Sequence, residues 1–258
     1  MIDKKSKDYT KLVDRMKEKW ALNMEVNGKE VCICNEINLW TYWQGLGYAE
    51  KTPKIKYLLV GQDWGNPFLS DNRAFINRII AMNNGNKSIP YIDRNDKIYP
   101  TDKNLIELFK VLGYSDIANN CYEDLFFTNF CLAYRTGKES GNLPTDIRKA
   151  MEESSPLFKD LCSILEPKKI LCLGKQTFQH VYETLNYGKK AGDLQFFKNR
   201  YNDFLENHVD FKVKCGNADT MIYPLAHCGS SGTMGRNKGR TKQSDLLYYQ
   251  KQDWARCK

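Results

Sequence analysis

Short apolar runs alternate with helix-like segments along most of the chain. Four runs, at residues 55–60, 125–132, 168–174 and 221–226, are each followed by glycine or a polar turn and are therefore predicted to be buried strands. Strands that alternate with helices are typical of a parallel sheet covered on both faces. The pattern predicts an α/β fold, a single three-layer α/β/α domain with a central, mainly parallel, four-stranded sheet.

Apolar spacing and capping residues predict the helices. They lie at 8–20, 102–113, 156–165, 175–185 and 244–254, and Thr101 or Asp102 is the expected cap of the second, which Gly113 ends. The stretch 81–100, rich in asparagine, glycine and proline, predicts a long surface loop. We expect residues 1–54, a helix and an irregular aromatic-rich segment, to form an extension packed on a domain spanning 55–258.

Composition narrows the class of protein. The 258 residues are 41% hydrophobic with a mean hydropathy of -0.60, and no stretch approaches the roughly 20 apolar residues of a membrane helix. The first twenty residues contain no apolar signal-peptide core. Nine scattered cysteines, an odd number, are typical of reduced thiols that pack in the core. We expect a soluble, cytoplasmic, monomeric protein with no membrane partner.

The net charge of +8 is concentrated at the two ends of the chain. Residues 232–258 carry seven Lys/Arg against two Asp, a net of +5, and residues 1–20 carry seven against four acids, a net of +3, so the middle is neutral. Basic ends on a neutral body suit a nucleic-acid partner, because phosphate contacts by lysine and arginine release counterions. Solvated basic tails explain the charge alone equally well.

Polar side chains lie in or just after three of the predicted strands. Gln62 and Asp63 come after the first, Asn129 lies in the second half of the second, and His227 follows the fourth. In open parallel sheets, ligands bind beyond the carboxyl ends of the strands. Each residue alone also has a structural interpretation, since Asp63 could cap a turn, Asn129 could bridge loops and His227 could lie on the surface.

The order of these motifs resembles the uracil-DNA glycosylase superfamily over roughly residues 55 to 240. LLVGQDWGNP is similar to its first motif, FFTNFCLAYR to its base-reading strand, and PLAHCGSSG to its histidine-bearing insertion loop; ESSPLFKDLCSILEPKKILCLG resembles the iron-sulfur branch. The resemblance implies that Asp63 positions the attacking water and that Gln62 is a backbone-contact position. It also implies that Asn129 reads the base, that His227 is the family's histidine, and that Tyr99 or Phe75 stacks on the flipped base.

The chemistry implied by the resemblance suits these residue types. Cleavage of an N-glycosidic bond develops a positive sugar and a negative base, which a carboxylate and a neutral imidazole can each stabilise. An asparagine amide offers donors and an acceptor in one plane to a pyrimidine edge. We therefore expect a monofunctional DNA glycosylase that leaves an abasic site and needs no metal or organic cofactor.

Two departures from the family change the expectation. The iron-sulfur branch uses four cysteines, but Tyr134 and Ser154 occupy two of those positions, so we expect no cluster despite Cys32 and Cys34. Where uracil-restricted relatives have a tyrosine after the acid, this chain has Gly65, which leaves space beside pyrimidine C5 unless Trp64 or Asn66 fills it. The expected substrates are uracil and 5-substituted pyrimidines.

The segment HCGSSGTMGRNKGR is expected to approach DNA as a loop. Ser230 and Ser231 would lie near phosphate and Met234 would be a wedge between bases, while the cations would be Arg236, Lys238 and Arg240. Two other functions stay open. One is a non-catalytic binder of modified or damaged DNA, which would need neither Asp63 nor His227. The other is an unrelated nucleotide-handling enzyme, for which the glycine-rich phosphate fingerprint is missing.

Overall fold

The computed structural model describes residues 4–20, 23–26, 29–32, 55–63, 100–117, 122–132, 145–207 and 211–258. The strands in these ranges are β1 (Asn23–Val26), β2 (Lys29–Cys32), β3 (Tyr57–Gly61), β4 (Leu125–Asn129), β5 (Lys169–Leu173), β6 (Phe211–Cys215) and β7 (Ala218–Leu225). The helices are α1 (Lys4–Trp20), α2 (Pro100–Val111), α3 (Thr145–Leu165), α4 (Lys175–Leu185), α5 (Tyr201–Asn207), α6 (Ser230–Asn237) and α7 (Tyr248–Ala255), with a 3-10 turn at Ala191–Asp193.

The central sheet has five strands in the order β4-β3-β5-β7-β6. Strands β4, β3, β5 and β7 are parallel to their neighbours, as predicted, and β6 pairs antiparallel with β7. The predicted number of four strands is wrong because β6, FKVKC, has alternating buried and exposed residues instead of a continuous apolar run. That alternation is the mark of an edge strand with one solvated face. A separate antiparallel pair, β1 and β2, was also not predicted.

Helices cover both faces of the sheet, which confirms the three-layer α/β/α class. One face carries a core to which α1, α3, α4 and α5 contribute, with Leu12, Phe158 and Phe178 among its fully buried side chains. The other carries a core built with α2 and α7, including Phe109 and Trp254, whose rings meet edge to face at 5.0 Å. The sheet is therefore buried on both sides, as its nearly continuous apolar strands require.

Several helix boundaries differ from the prediction. Helix α3 begins at Thr145 and includes Pro156, which the sequence placed at a helix start. Pro156 is tolerated inside the helix because it is exposed, so water can reach the carbonyl of Glu152 that loses its helical partner. Helix α2 begins at Pro100, so Thr101 and Asp102 lie in its first turn, and Gly113 follows its end at φ +98° as predicted.

The end of α7 is attached to the amino edge of the sheet. The hydroxyl of buried Tyr57, at the start of β3, donates to the Cys257 carbonyl at 3.0 Å. Lys169, at the start of β5, donates to the same carbonyl at 2.9 Å. These contacts join segments 200 and 88 positions apart, and they fix α7 against the sheet.

Six cysteines are buried free thiols, which confirms the expected role in the core for these six: Cys131, Cys162, Cys172, Cys215, Cys228 and Cys257. Within the described ranges, no group of three or more His, Cys, Asp or Glu side chains could hold a metal ion. No helix in the described part of the chain is long and apolar enough to cross a membrane.

Candidate active site

Asn129 and Gly61 lie side by side at the carboxyl edge of the sheet. The register of β3 and β4 pairs Gly61 with Asn129. The backbone pairing continues beyond the strands, where the N–H of Cys131 donates to the Gln62 carbonyl at 2.9 Å. A Cβ atom built on Gly61 would lie 2.1 Å from Asn129 Oδ1. Glycine therefore makes room for the asparagine amide, a role that sequence reasoning did not assign to Gly61.

Gln62 and Asp63 follow β3 directly. Gln62 Nε2 donates to Asp63 Oδ2 at 2.9 Å, and both residues are half-buried. A hydrogen bond from a side-chain amide restricts the rotation of the carboxylate. Asp63 is thus a half-buried acid held in a defined orientation at the same edge as Asn129.

His227 reaches this edge from the other side of β5. It follows β7 by two residues, where the N–H of Gly174 donates to the Leu225 carbonyl at 2.8 Å. Gly174 has φ +99°, and a Cβ there would lie 3.8 Å from His227 Cβ. The β5–β7 contact therefore sets the position of the histidine above the end of the middle strand.

The backbone assigns the tautomer of His227. The N–H of Gly229 donates to His227 Nδ1 at 2.9 Å, so Nδ1 is an acceptor. In a neutral imidazole the other nitrogen, Nε2, must then carry the proton. The ring consequently offers an Nε2–H donor.

The surroundings of His227 favour its neutral form. Burial lowers the pKa of the imidazole below its usual value, and the negative charge of Asp63 acts in the opposite direction as the smaller effect. His227 keeps solvent-exposed surface, so burial acts less strongly than full enclosure would. The charge of Asp63 therefore acts on the imidazole and opposes the effect of burial.

The first turn of α2 packs against the histidine turn. Thr101 Oγ1 lies 3.1 Å from the position of a Cβ on Gly229. In the same helical turn, burial raises the pKa of the Asp102 carboxyl to about 6. Asp102 is a titratable acid near the site, and sequence reasoning gave it only the role of a helix cap.

The segment expected to approach DNA is a helix, not a loop. Ser230 begins α6 and Gly229 is its N-cap, so the prediction of a loop is wrong for residues 230–237. Ser230, Ser231 and Lys238 are exposed, and Met234 is 67% exposed. These four side chains are accessible to a partner.

Arg236 and Arg240 face the protein instead. Arg236 is 3% exposed and forms two hydrogen bonds to Asp253, at 2.7 and 2.9 Å. Arg240 donates to Glu206 and lies over the ring of Tyr249 at 5.0 Å. Contrary to the expectation from the sequence, these two arginines are not available for phosphate contacts. Both guanidinium groups already pair with acids of the same chain, Asp253 and Glu206.

Other expected site residues fall outside the described ranges, namely Gly65, Phe75, Tyr99, Trp64, Asn66, Tyr134 and Cys34. Ser154, which stands where the iron-sulfur branch has a cysteine, is fully buried. It accepts a hydrogen bond from Leu132 N–H at 3.1 Å and donates to the Ala150 carbonyl at 2.7 Å. Ser154 therefore joins the segment that follows β4 to α3.

No protein-family model and no curated protein sequence matches this chain.

Proposed function

We propose that the protein is a DNA glycosylase that flips uracil or a 5-substituted pyrimidine out of DNA and hydrolyses its N-glycosidic bond. The observation that carries the proposal is the neutral His227, whose Nε2–H donor lies at the same sheet edge as the Asp63 carboxylate and the Asn129 amide. The motif resemblance to uracil-DNA glycosylases supports the same reaction.

In this reaction the C1′–N1 bond breaks and its electron pair leaves with the base. The sugar becomes oxocarbenium-like, and the Asp63 carboxylate stabilises its positive charge and orients the attacking water. The water oxygen bonds to C1′ and its proton leaves through Asp63 to solvent. The base departs as an anion and takes a proton from solvent, so the products are an abasic deoxyribose and the free base.

His227 acts on the leaving base. Negative charge grows on a carbonyl oxygen of the pyrimidine as the bond breaks, and the Nε2–H group donates a hydrogen bond to that oxygen. A neutral imidazole can donate this hydrogen bond while it keeps its Nε2 proton. The lowered pKa of His227 keeps this form dominant at neutral pH.

Asn129 recognises the flipped base, and α6 contacts the strand. The amide of Asn129, held next to Gly61, presents donor and acceptor groups to the pyrimidine edge. The exposed Ser230, Ser231 and Lys238 suit phosphate contacts, and exposed Met234 suits insertion into the base stack.

The proposal is tested by replacing Asp63 with asparagine. Asp63→Asn should slow single-turnover excision by hundreds-fold or more, because it removes the charge that stabilises the transition state. Excision is measured as alkali-labile strand breaks in oligonucleotides that contain uracil, 5-hydroxymethyluracil or thymine. The matched control is Asp219→Asn, since Asp219 is an exposed acid near the start of β7, far from the carboxyl edge.

Thermal unfolding and DNA binding should be nearly unchanged in both variants. Excision by Asp63→Asn at the wild-type rate would remove Asp63 from the mechanism. If the wild-type protein binds modified oligonucleotides but excises a base from none of them, the proposal is refuted, and the protein is a non-catalytic binder of modified DNA.

A further inference from the structure

We propose that Gln250 and Asn104 are positioning residues that hold His227 in its Nε2–H tautomer. They do so by binding the backbone carbonyls of the turn that carries the histidine. The significance for catalysis rests on the proposed function, but the effect on the imidazole can be measured without it.

Gln250, on α7, binds the carbonyl of His227 itself. Its Nε2 donates to His227 O at 3.1 Å, and the residue is only 1% exposed. A carbonyl can only accept, so the amide nitrogen must face it and Oε1 must face the other way. There Oε1 accepts a hydrogen bond from the Thr233 hydroxyl at 2.9 Å.

Asn104, on α2, binds the next carbonyl along the chain. Its Nδ2 donates to Cys228 O at 2.7 Å and lies 3.4 Å from Thr233 Oγ1. Two successive carbonyls of the turn are therefore bound by side-chain amides from two different helices. Thr233, on α6, connects these amides into one network, and hydrogen-bond networks of this kind fix a unique geometry when every member is paired.

Close packing removes the remaining freedom of the turn. A Cβ on Gly232 would lie 2.1 Å from His227 O, and a Cβ on Gly229 would lie 3.0 Å from His227 Nδ1. With both carbonyls fixed, the following N–H, that of Gly229, is directed at Nδ1. Release of the carbonyls lets these peptide groups rotate, and Nδ1 then loses the donor that selects its tautomer.

The test replaces Gln250 with methionine, which keeps much of the side-chain volume and removes the amide. The matched control is Gln252→Met on the same helix, because Gln252 is exposed. The tautomer is read from nitrogen–proton correlation spectra of 15N-labelled imidazoles at pH 7.5. The chain has three histidines, so a His227→Gln sample identifies the signal.

We expect wild type and Gln252→Met to show the Nε2–H form, and Gln250→Met to show a mixture of tautomers. Single-turnover excision by Gln250→Met should fall about ten- to a hundredfold, as expected for a small misplacement of a reacting group. An unchanged tautomer in folded Gln250→Met would overturn the positioning role, because a residue that only supports helix packing would not affect it.

A second variant keeps the inference falsifiable if Gln250→Met does not fold. Thr233→Val removes only the hydroxyl that orients the Gln250 amide, and it should shift the tautomer in the same direction by a smaller amount. A shifted tautomer in a protein whose wild type excises no base would refute the glycosylase function and leave the positioning role intact. Normal excision with an unshifted tautomer in Thr233→Val would refute the positioning role.

Discussion

Single glycines make room for the polar groups of the candidate site. Gly61 lies beneath the Asn129 amide, and Gly232 lies against the His227 carbonyl. Neither has a positive φ, so a side chain at either position would act through its volume and not through backbone strain. The shape of the site therefore depends on the lack of a side chain at Gly61 and at Gly232.

Gly61→Ala should displace the Asn129 amide, because its Cβ would lie 2.1 Å from Oδ1. We expect kcat/KM for excision to fall at least tenfold, while thermal unfolding changes little because the residue lies at the half-buried end of β3. The matched control is Gly235→Ala on α6, where a Cβ would contact nothing within 4 Å and alanine favours the helix. Equal kcat/KM values for the two variants would show that the position of Asn129 does not affect excision.

The positions of Asp63, Asn129 and His227 at one sheet edge could be predicted from the sequence. Each follows an apolar run, and parallel strands bring their carboxyl ends together. The roles of Gln250 and Asn104 could not be predicted from the sequence. Their partners lie 23 and 124 positions away, and no local pattern links them. The expected roles of Gly65, Phe75 and Tyr99 remain predictions, since these residues lie outside the described ranges.

At the level of elements, α6 forms a helix although its sequence, SSGTMGRN, contains two glycines. Its inward residues explain this, because buried Thr233 and Arg236 bind Gln250 and Asp253 on α7. Packing on a neighbouring helix outweighs the poor helix propensity of glycine, whose cost is about 1 kcal/mol per residue. Sequence reasoning predicted a loop because it could not include this contact.

Arg236→Met should destabilise the fold by about 3 kcal/mol, because it leaves the buried carboxylate of Asp253 without its bidentate partner. Asp253 keeps a hydrogen bond from Arg256, which limits the loss. The free energy of unfolding in urea measures the change. Lys238→Met is the control at an exposed position of the same segment. A difference below about 1 kcal/mol between the two variants would mean that the pair contributes little to the α6–α7 contact.

At the level of the whole molecule, the basic C-terminal segment is part of the body and not a tail. Four of its seven cations form ion pairs with Asp253, Asp245 or Glu206. The two aspartates are already included in the net charge of +5, and Glu206 lowers the charge of the segment with its partners to +4. Lys238 and Lys242 are exposed and make no ion pair within the described ranges. The cations available to a phosphate backbone are fewer than the sequence indicates.

Replacement of Lys238 and Lys242 together by glutamine should weaken binding to all DNA sequences alike. The slope of log affinity against log salt should fall by roughly one unit for each lost phosphate contact, hence by about two. The control changes Lys159 and Lys168, two exposed lysines on α3 and before β5, to glutamine. The same decrease in slope in both double variants would indicate an effect of net charge and no contact at Lys238 or Lys242.

The bond from the Tyr57 hydroxyl to the Cys257 carbonyl also bears on how the molecule folds. It closes a loop of 200 positions, and contacts of such high sequence separation form slowly because the entropy of loop closure opposes them. Helix α7, which this bond anchors, carries the Gln250 amide that binds the histidine turn. We therefore expect the central sheet to assemble before the imidazole acquires its native orientation, so that a nascent or partly unfolded chain has much of its core but no competent site.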